Sequence, residues 1–338
     1  MYQRSSGGRY LEILLFTLSS LLLYHTIIGF VLFLVPLQVV ASRRGIRSLG
    51  AAAGIFFVVF LAIRFWPFML SPGRSAPDML IYMEAGAVVL LLLGLLGVNL
   101  PMRKRPRTAV VLLAATAVAG IIGFPTILIL TGTAAFQQSM NSLFTETAKT
   151  LSTALAPAGD ALGSALLAPI LEPAHLRAMS EAFLTRTLLA DYMVMLTFSW
   201  WAGQAAATRA PAFLGIQPSF RFSGFRLEGF WLWPLIAAGA LVLVDLFFHI
   251  SSWAFVAWNI GLVLLFLYGL QGLAIIWFHF DKRHLPRFLW LLLIVALGIL
   301  AVTPGIGVIV LVAVPIFGIS ENWVRYRIPR SAAPTNDG

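Results

Sequence analysis

The chain contains no cysteine and few charged residues, and both shortages limit what it can do. Without cysteine it has no disulfides, no thiolate metal sites and no cysteine nucleophile. Only 11% of its 338 residues are charged and 60% are hydrophobic, so polar groups could not cover the apolar surface of a water-soluble domain. We therefore expect the lipid bilayer to be its solvent.

Motifs of soluble and hydrolytic enzymes are also missing. The sequence has no HExxH, no GxSxG and no Walker loop, and its five histidines are scattered without a pair at ligand spacing. Asp245 and His249, one helical turn apart, are a weak signal for a metal or proton-relay site. We predict that the protein is not an enzyme and holds no cofactor and no metal.

Apolar runs recur from near the N-terminus to within twenty residues of the end. Because a spanning helix needs about 20 mostly apolar residues, they predict an all-α, polytopic transmembrane helical bundle of about nine to ten spans. This single integral membrane domain would cover 1–330, with a disordered tail at 331–338. The last two runs could be one helix, but Pro304 and Gly305 favour a hairpin. The expected spans are 11–40 (two short segments), 51–70, 79–99, 108–130, 186–204, 231–250, 254–278, 288–302 and 305–319.

The positions of the basic residues predict the membrane topology of the chain. The net charge of +10 is divided among short clusters between apolar runs, which argues against a nucleic-acid partner. With Arg4 and Arg9, the clusters at 43–47, 103–107, 209–226, 282–287 and 325–330 hold eighteen of the 23 Lys and Arg residues. If successive spans cross the membrane in alternating directions, all of these residues lie on one side. Because Lys and Arg are retained on the cytoplasmic side, that side is expected to be the cytoplasm. We therefore predict that both termini are cytoplasmic.

The segment 131–185 does not fit a simple span. It is rich in Ala, Ser, Thr and Leu, and its leucines recur at roughly helical spacing between Pro157, Pro169 and Pro173. This pattern predicts short amphipathic helices on the extracytoplasmic face. They could be a lid over a site, or a weakly apolar loop that covers the bundle.

Six polar side chains fall inside the expected spans, all toward the outer ends. An ionisable side chain in a bilayer costs about 2.5 to 3.5 kcal/mol even on the insertion scale, so each asks for a partner, a water cavity or a function. One reading is an outward-facing pocket that binds a small molecule; the other is internal pairing, of Arg64 with Glu84 or Asp191 and of Asp245 with His249 or a backbone donor. The six residues are Arg64, Glu84, Asp191, Asp245, His249 and Asn259.

Several segments carry a resemblance to a known family. From Phe225 to Arg327 they are FRLEGFWLWPLI, WNIGLVLLFLYGLQGLAIIWF with Asn259, Gln271 and Gly272, DKRHLPRF and ISENWVRYR; the early segment FLVPLQVVASRRGIRS adds Pro36 and Arg44-Gly45. The chain resembles the YybS-like bacterial membrane proteins, a domain of unknown function. It is similar, more distantly, to substrate-binding membrane components of energy-coupling-factor vitamin transporters and to rod-shape proteins of the MreD type.

These resemblances imply a multi-pass protein of the bacterial cytoplasmic membrane with one of two functions. The first is capture of a small solute in an outward-facing membrane pocket, with ATP hydrolysis supplied by a separate ATPase and other membrane subunits. The second is a non-catalytic scaffold of a cell-envelope complex. A polar layer in the outer half of the membrane favours capture, since an outward-facing site requires it.

Overall fold

A computed structural model of the chain describes residues 6–26, 29–70, 79–100, 108–155, 171–209, 222–248, 251–303 and 305–327. These residues form helices joined by turns and loops, with no strand among them, which confirms the all-α prediction. Within the described ranges the α-helices are α1 (Ser6–Tyr24), α2 (Leu34–Arg44), α3 (Ile46–Met69), α4 (Met79–Val98), α5 (Thr108–Thr131), α6 (Ala134–Leu155), α7 (Pro173–Arg209), α8 (Leu232–Phe248), α9 (Ser251–Lys282), α10 (Arg287–Val302) and α11 (Ile306–Ser320).

Five helical segments in the described part of the chain are long and apolar enough to cross a bilayer: Ile46–Met69, Met79–Val98, Thr108–Thr131, Gly229–Phe248 and Trp253–Lys282. This confirms a multi-pass membrane protein. A count of nine or ten spans also needs the shorter apolar helices α1, α10 and α11 and the apolar part of α7. That count stays a prediction, as does the cytoplasmic position of both termini.

Contacts divide the chain into two compact units, Met1–Gln217 and Pro218–Gly338. The single domain expected at 1–330 stays a prediction, and the tail at 331–338 lies outside the described residues.

In unit 1, α1 and α2 form an antiparallel hairpin. At its open end the Glu12 carboxylate accepts hydrogen bonds from both Arg43 and Arg44, the Arg44 Nε to Oε2 distance being 3.0 Å. Near its closed end the Ser20 hydroxyl donates to the Phe33 carbonyl. The two short segments expected within 11–40 are therefore confirmed. Gly45, with φ +84°, then separates α2 from α3, in a conformation that few side chains tolerate.

Helix α2 lies at the centre of unit 1, because Leu34 and Leu37 are fully buried and it packs against α1, α3 and α7. It also carries a buried amide, Gln38. This side chain forms a reciprocal pair with Asn99 at the end of α4: Asn99 Nδ2 donates to Gln38 Oε1 at 2.7 Å, and Gln38 Nε2 donates to Asn99 Oδ1 at 3.1 Å. The pairing satisfies polar groups that would otherwise be stranded among apolar side chains.

Helix α7 is longer than the span expected at 186–204. It runs unbroken for 37 residues from Pro173, because proline suits the first turn of a helix and no breaker follows before Arg209. At about 1.5 Å per residue it is about 55 Å long, well beyond the ~30 Å hydrocarbon core. Its first turns pack against α6, where Arg177 donates hydrogen bonds to Gln137 and Asn141. Arg177 also donates to Glu181, one turn further along α7. Helix α6 confirms helical structure in the expected amphipathic segment, whereas Pro157 and Pro169 lie outside the described residues.

In unit 2, α9 packs against α8 and α11. The crossing with α11 is very close: a Cβ on Gly318 would stand 1.9 Å from the Tyr268 carbonyl oxygen, and a Cβ on Gly272 would stand 2.2 Å from that of Val314. Both positions require glycine, since only glycine lets two backbones approach this far. Helices α10 and α11 also pack together, which confirms the predicted hairpin; Pro304 lies outside the described residues.

Candidate functional site

Three polar side chains from three helices meet in unit 1. The Tyr24 hydroxyl, at the end of α1, donates to Glu84 Oε1 of α4 at 2.7 Å. The Arg64 guanidinium, near the end of α3, forms an ion pair with the same oxygen through Nη2. Two of the six residues expected from the sequence are thus brought together, and a tyrosine that the sequence reasoning did not select joins them. We refer to Tyr24, Arg64 and Glu84 as the outer triad, after the membrane face on which the sequence predicts Arg64 and Glu84 to lie.

Helix geometry explains why Arg64 and Glu84 meet. Arg64 lies five residues before the end of α3 at Met69, and Glu84 lies five residues after the start of α4 at Met79. Five residues correspond to about 7.5 Å of helix, so in consecutive helices the two side chains reach the same level. The matched depth expected from the sequence is present for this pair.

The outer triad is neither fully satisfied nor fully enclosed. The side chains of Arg64 and Glu84 are 36% and 28% exposed. Arg64 Nε is buried without a hydrogen-bond partner, and its guanidinium lies 5.9 Å from the centre of the Phe60 ring. Tyr24, by contrast, is buried, with the rings of Phe33 and Phe60 within 5.2 Å of its own. Aromatic rings therefore support a partly exposed ion pair that retains hydrogen-bonding capacity.

Asp191 lies on α7, eighteen residues after Pro173, where that helix begins. It is exposed, and its Oδ2 accepts a hydrogen bond from the Thr187 hydroxyl one turn earlier at 2.6 Å. Of the two partners considered for Arg64, the structure pairs it with Glu84.

In unit 2, Asp245 and Asn259 occupy neighbouring positions of the α8–α9 hairpin. Asp245 is buried near the end of α8, and its Oδ2 accepts a hydrogen bond from the Trp258 indole Nε1 at 3.0 Å. Asn259, the residue after Trp258, is buried, and its Nδ2 donates to the Phe255 carbonyl at 2.9 Å. His249 lies outside the described residues, so its pairing with Asp245 stays a prediction. A single cavity lined by all six residues stays a prediction for the same reason.

A second polar cluster in unit 2 was not anticipated as a cluster. Glu321, only 4% exposed, forms a bidentate ion pair with Arg327, whose Nε lies 2.7 Å from Oε1. Arg327 also donates to the carbonyls of Ser223 and Phe225, at 2.6 and 2.9 Å. The buried Gln271 amide donates to Glu321 Oε2 at 2.8 Å. We refer to Gln271, Glu321 and Arg327 as the C-terminal clasp.

The sequence held a partial signal for this clasp. Gln271, Phe225 and the ISENWVRYR ending all lie in the segments that carried the family resemblance. What the sequence did not show is that these segments converge. The clasp ties the chain at 223–225 to the end of α11 and to the middle of α9.

The long apolar helices, with polar groups paired inside each unit, define a multi-pass α-helical membrane protein. The chain belongs to a family of predicted membrane proteins, DUF2232, whose model matches residues 74–319. The match includes Glu84 and most of unit 2, whereas Tyr24 and Arg64 lie before it. No curated protein and no solved structure matches the chain.

Proposed function

We propose that this protein captures a small polar solute at the outer triad of unit 1, as a non-enzymatic component of a transport system in the bacterial cytoplasmic membrane. The observation that carries the proposal is the partly exposed ion pair of Arg64 and Glu84, whose described hydrogen bonds leave Glu84 Oε2 and further guanidinium N–H groups able to bond a solute. A charge pair in the membrane is costly, and a solute that completes its hydrogen bonds recovers part of that cost.

The short α1–α2 hairpin supports a recess above the triad. From Glu12, at the arginine-bearing end, to Tyr24 is twelve residues of helix, or about 18 Å. The hydrocarbon core is about 30 Å thick, so this hairpin ends well short of crossing it. Helices α3 and α4 are longer than the helices of the hairpin. Arg64 and Glu84 lie on the portions of α3 and α4 that extend beyond most of the hairpin. A solute arriving from outside would meet Arg64 and Glu84, with Tyr24 buried beneath them.

Energy for transport would come from partners. The chain has no nucleotide-binding motif, and the distant similarity to energy-coupling-factor components favours a separate ATPase with a coupling membrane subunit. The YybS-like resemblance supports the same bacterial membrane setting. No nucleic-acid partner is proposed, since the basic residues fit the positive-inside pattern.

A scaffold of a cell-envelope complex, the role implied by the MreD-type similarity, is the second candidate. It is favoured by one observation: those of the expected polar groups that the structure describes have hydrogen-bond partners inside the protein. Glu84 bonds Arg64, Asp245 bonds Trp258, and Asn259 bonds a backbone carbonyl. Paired groups of this kind hold helices together without any ligand.

Native mass spectrometry of the gently extracted protein discriminates the two functions. Capture predicts a small molecule retained by the wild type and lost in Arg64→Gln, together with an ATPase and a coupling subunit among the co-purified proteins. Lys149→Gln is the matched control, because Lys149 is an exposed cation of α6 and is not among the residues that bond in the triad. Cell-wall synthesis proteins without any retained solute would support the scaffold and contradict capture.

A further inference from the structure

The charges of the outer triad indicate which net charge its solute carries, a step that rests on the proposed function of the triad. The triad contains one cation, Arg64, and one anion, Glu84, in direct contact. Tyr24 adds a neutral hydroxyl, which donates a hydrogen bond to Glu84. Among the residues that the structure describes, the groups in bonding contact here therefore sum to zero net charge before any solute arrives.

A charge-balanced pair in a medium of low dielectric constant discriminates by net charge. An anionic solute at Arg64, or a cationic one at Glu84, must either stay uncompensated or displace the existing partner. Both routes are costly, because an unpaired charge near the membrane interior is poorly solvated. A solute of zero net charge meets neither cost.

The geometry leaves a donor and an acceptor free on adjacent groups. Both hydrogen bonds described for Glu84 fall on Oε1, so Oε2 keeps the capacity to accept. Arg64 uses Nη2 toward Glu84, so the guanidinium keeps further N–H donors. A solute that carries an N–H or O–H donor beside a carbonyl or carboxylate acceptor can bridge both groups without separating them.

We infer that the solute captured at the outer triad has zero net charge, as a neutral or zwitterionic molecule, and carries a hydrogen-bond donor next to an acceptor. Arg64 supplies the donor, Glu84 Oε2 the acceptor, and Tyr24 fixes the Glu84 carboxylate. The triad selects by charge balance, whatever the shape of the remaining pocket.

The test uses the full-length protein in lipid nanodiscs and an equimolar mixture of small amino acids, amides, nucleobases, carboxylates and amines, in which each net charge from −1 to +1 is equally represented. Retained members are identified by mass spectrometry after rapid removal of the free mixture. The wild type is expected to retain members of zero net charge. Glu84→Gln leaves Arg64 as an unbalanced cation that cannot lose its proton, so the preference should move toward anions by about tenfold.

Two further variants complete the design. Arg64→Gln with Glu84→Gln restores zero charge, so the double variant should return to neutral members with weaker retention. Glu146→Gln, an exposed carboxylate of α6, is the matched control and should behave as the wild type.

The outcomes separate this inference from the proposed function. Retention of a net-charged solute that is lost in the double variant would overturn the charge rule while supporting capture at the triad. An unchanged preference in Glu84→Gln would also overturn the charge rule. Absence of any retained member in the wild type would overturn both.

Discussion

Removal of Arg327 tests the energetics of the C-terminal clasp. Arg327→Ala deletes four hydrogen bonds, two to the Glu321 carboxylate and one each to the carbonyls of Ser223 and Phe225. The two charged side chains are only 11% and 4% exposed, so water replaces the lost partner poorly. Breaking a buried pair by removing one member costs about 3 to 5 kcal/mol, which is the loss of unfolding free energy expected here.

A double-mutant cycle identifies the source of that loss. Once Arg327 is gone, Glu321→Gln removes a stranded charge, so the two substitutions together should cost about 2 to 3 kcal/mol less than their sum. The assay is reversible unfolding from detergent micelles by sodium dodecyl sulfate, followed by tryptophan fluorescence. Arg325→Ala is the matched control, since Arg325 is exposed and should change stability by about 0.5 kcal/mol at most. A cost for Arg327→Ala equal to that of the control, or a coupling energy of zero, would refute the reasoning.

Two other substitutions test helix packing and the outer triad in the same assay. Gly318→Ala should destabilise the protein by about 1 to 3 kcal/mol, because the new Cβ would stand 1.9 Å from the Tyr268 carbonyl oxygen. Gly298→Ala has open space around it and should be near neutral, so equal effects would contradict the close crossing. Tyr24→Phe should cost about 1 to 2 kcal/mol by removing its 2.7 Å bond to Glu84, and a value near zero would argue against that bond.

Much of the fold was predictable because the bilayer imposes simple rules on a sequence. Apolar run length predicted the long helices, and the two short segments expected within 11–40 correspond to α1 and α2. Helix α7 begins thirteen residues before the span expected at 186–204, a start that the hydropathy of the sequence does not show. A helix that leaves the membrane keeps its hydrogen bonds while its side chains turn polar, so hydropathy marks where the apolar stretch begins and not where the helix begins.

Two of the three residues of the outer triad, Arg64 and Glu84, could be predicted from the sequence. Matched depth in consecutive helices brought Arg64 and Glu84 to one level, a relation that helical rise alone supplies. Tyr24 was missed because a tyrosine at the end of an apolar run is equally typical of an aromatic belt at the membrane interface. Likewise, Glu321 and Arg327 follow the last span, where charged residues usually face water, and only the fold buries them with Gln271.

Labelling of single cysteines in intact cells tests the account most directly, since the natural chain has no cysteine to interfere. Cysteines at Arg64 and Glu84 are to be treated with a membrane-impermeant maleimide from outside, with Arg47→Cys as the expected inner-face control. The account predicts reaction at positions 64 and 84 before permeabilisation, and at position 47 only after it. Resistance of both triad positions, or labelling of position 47 from outside, would contradict an outward-facing capture site.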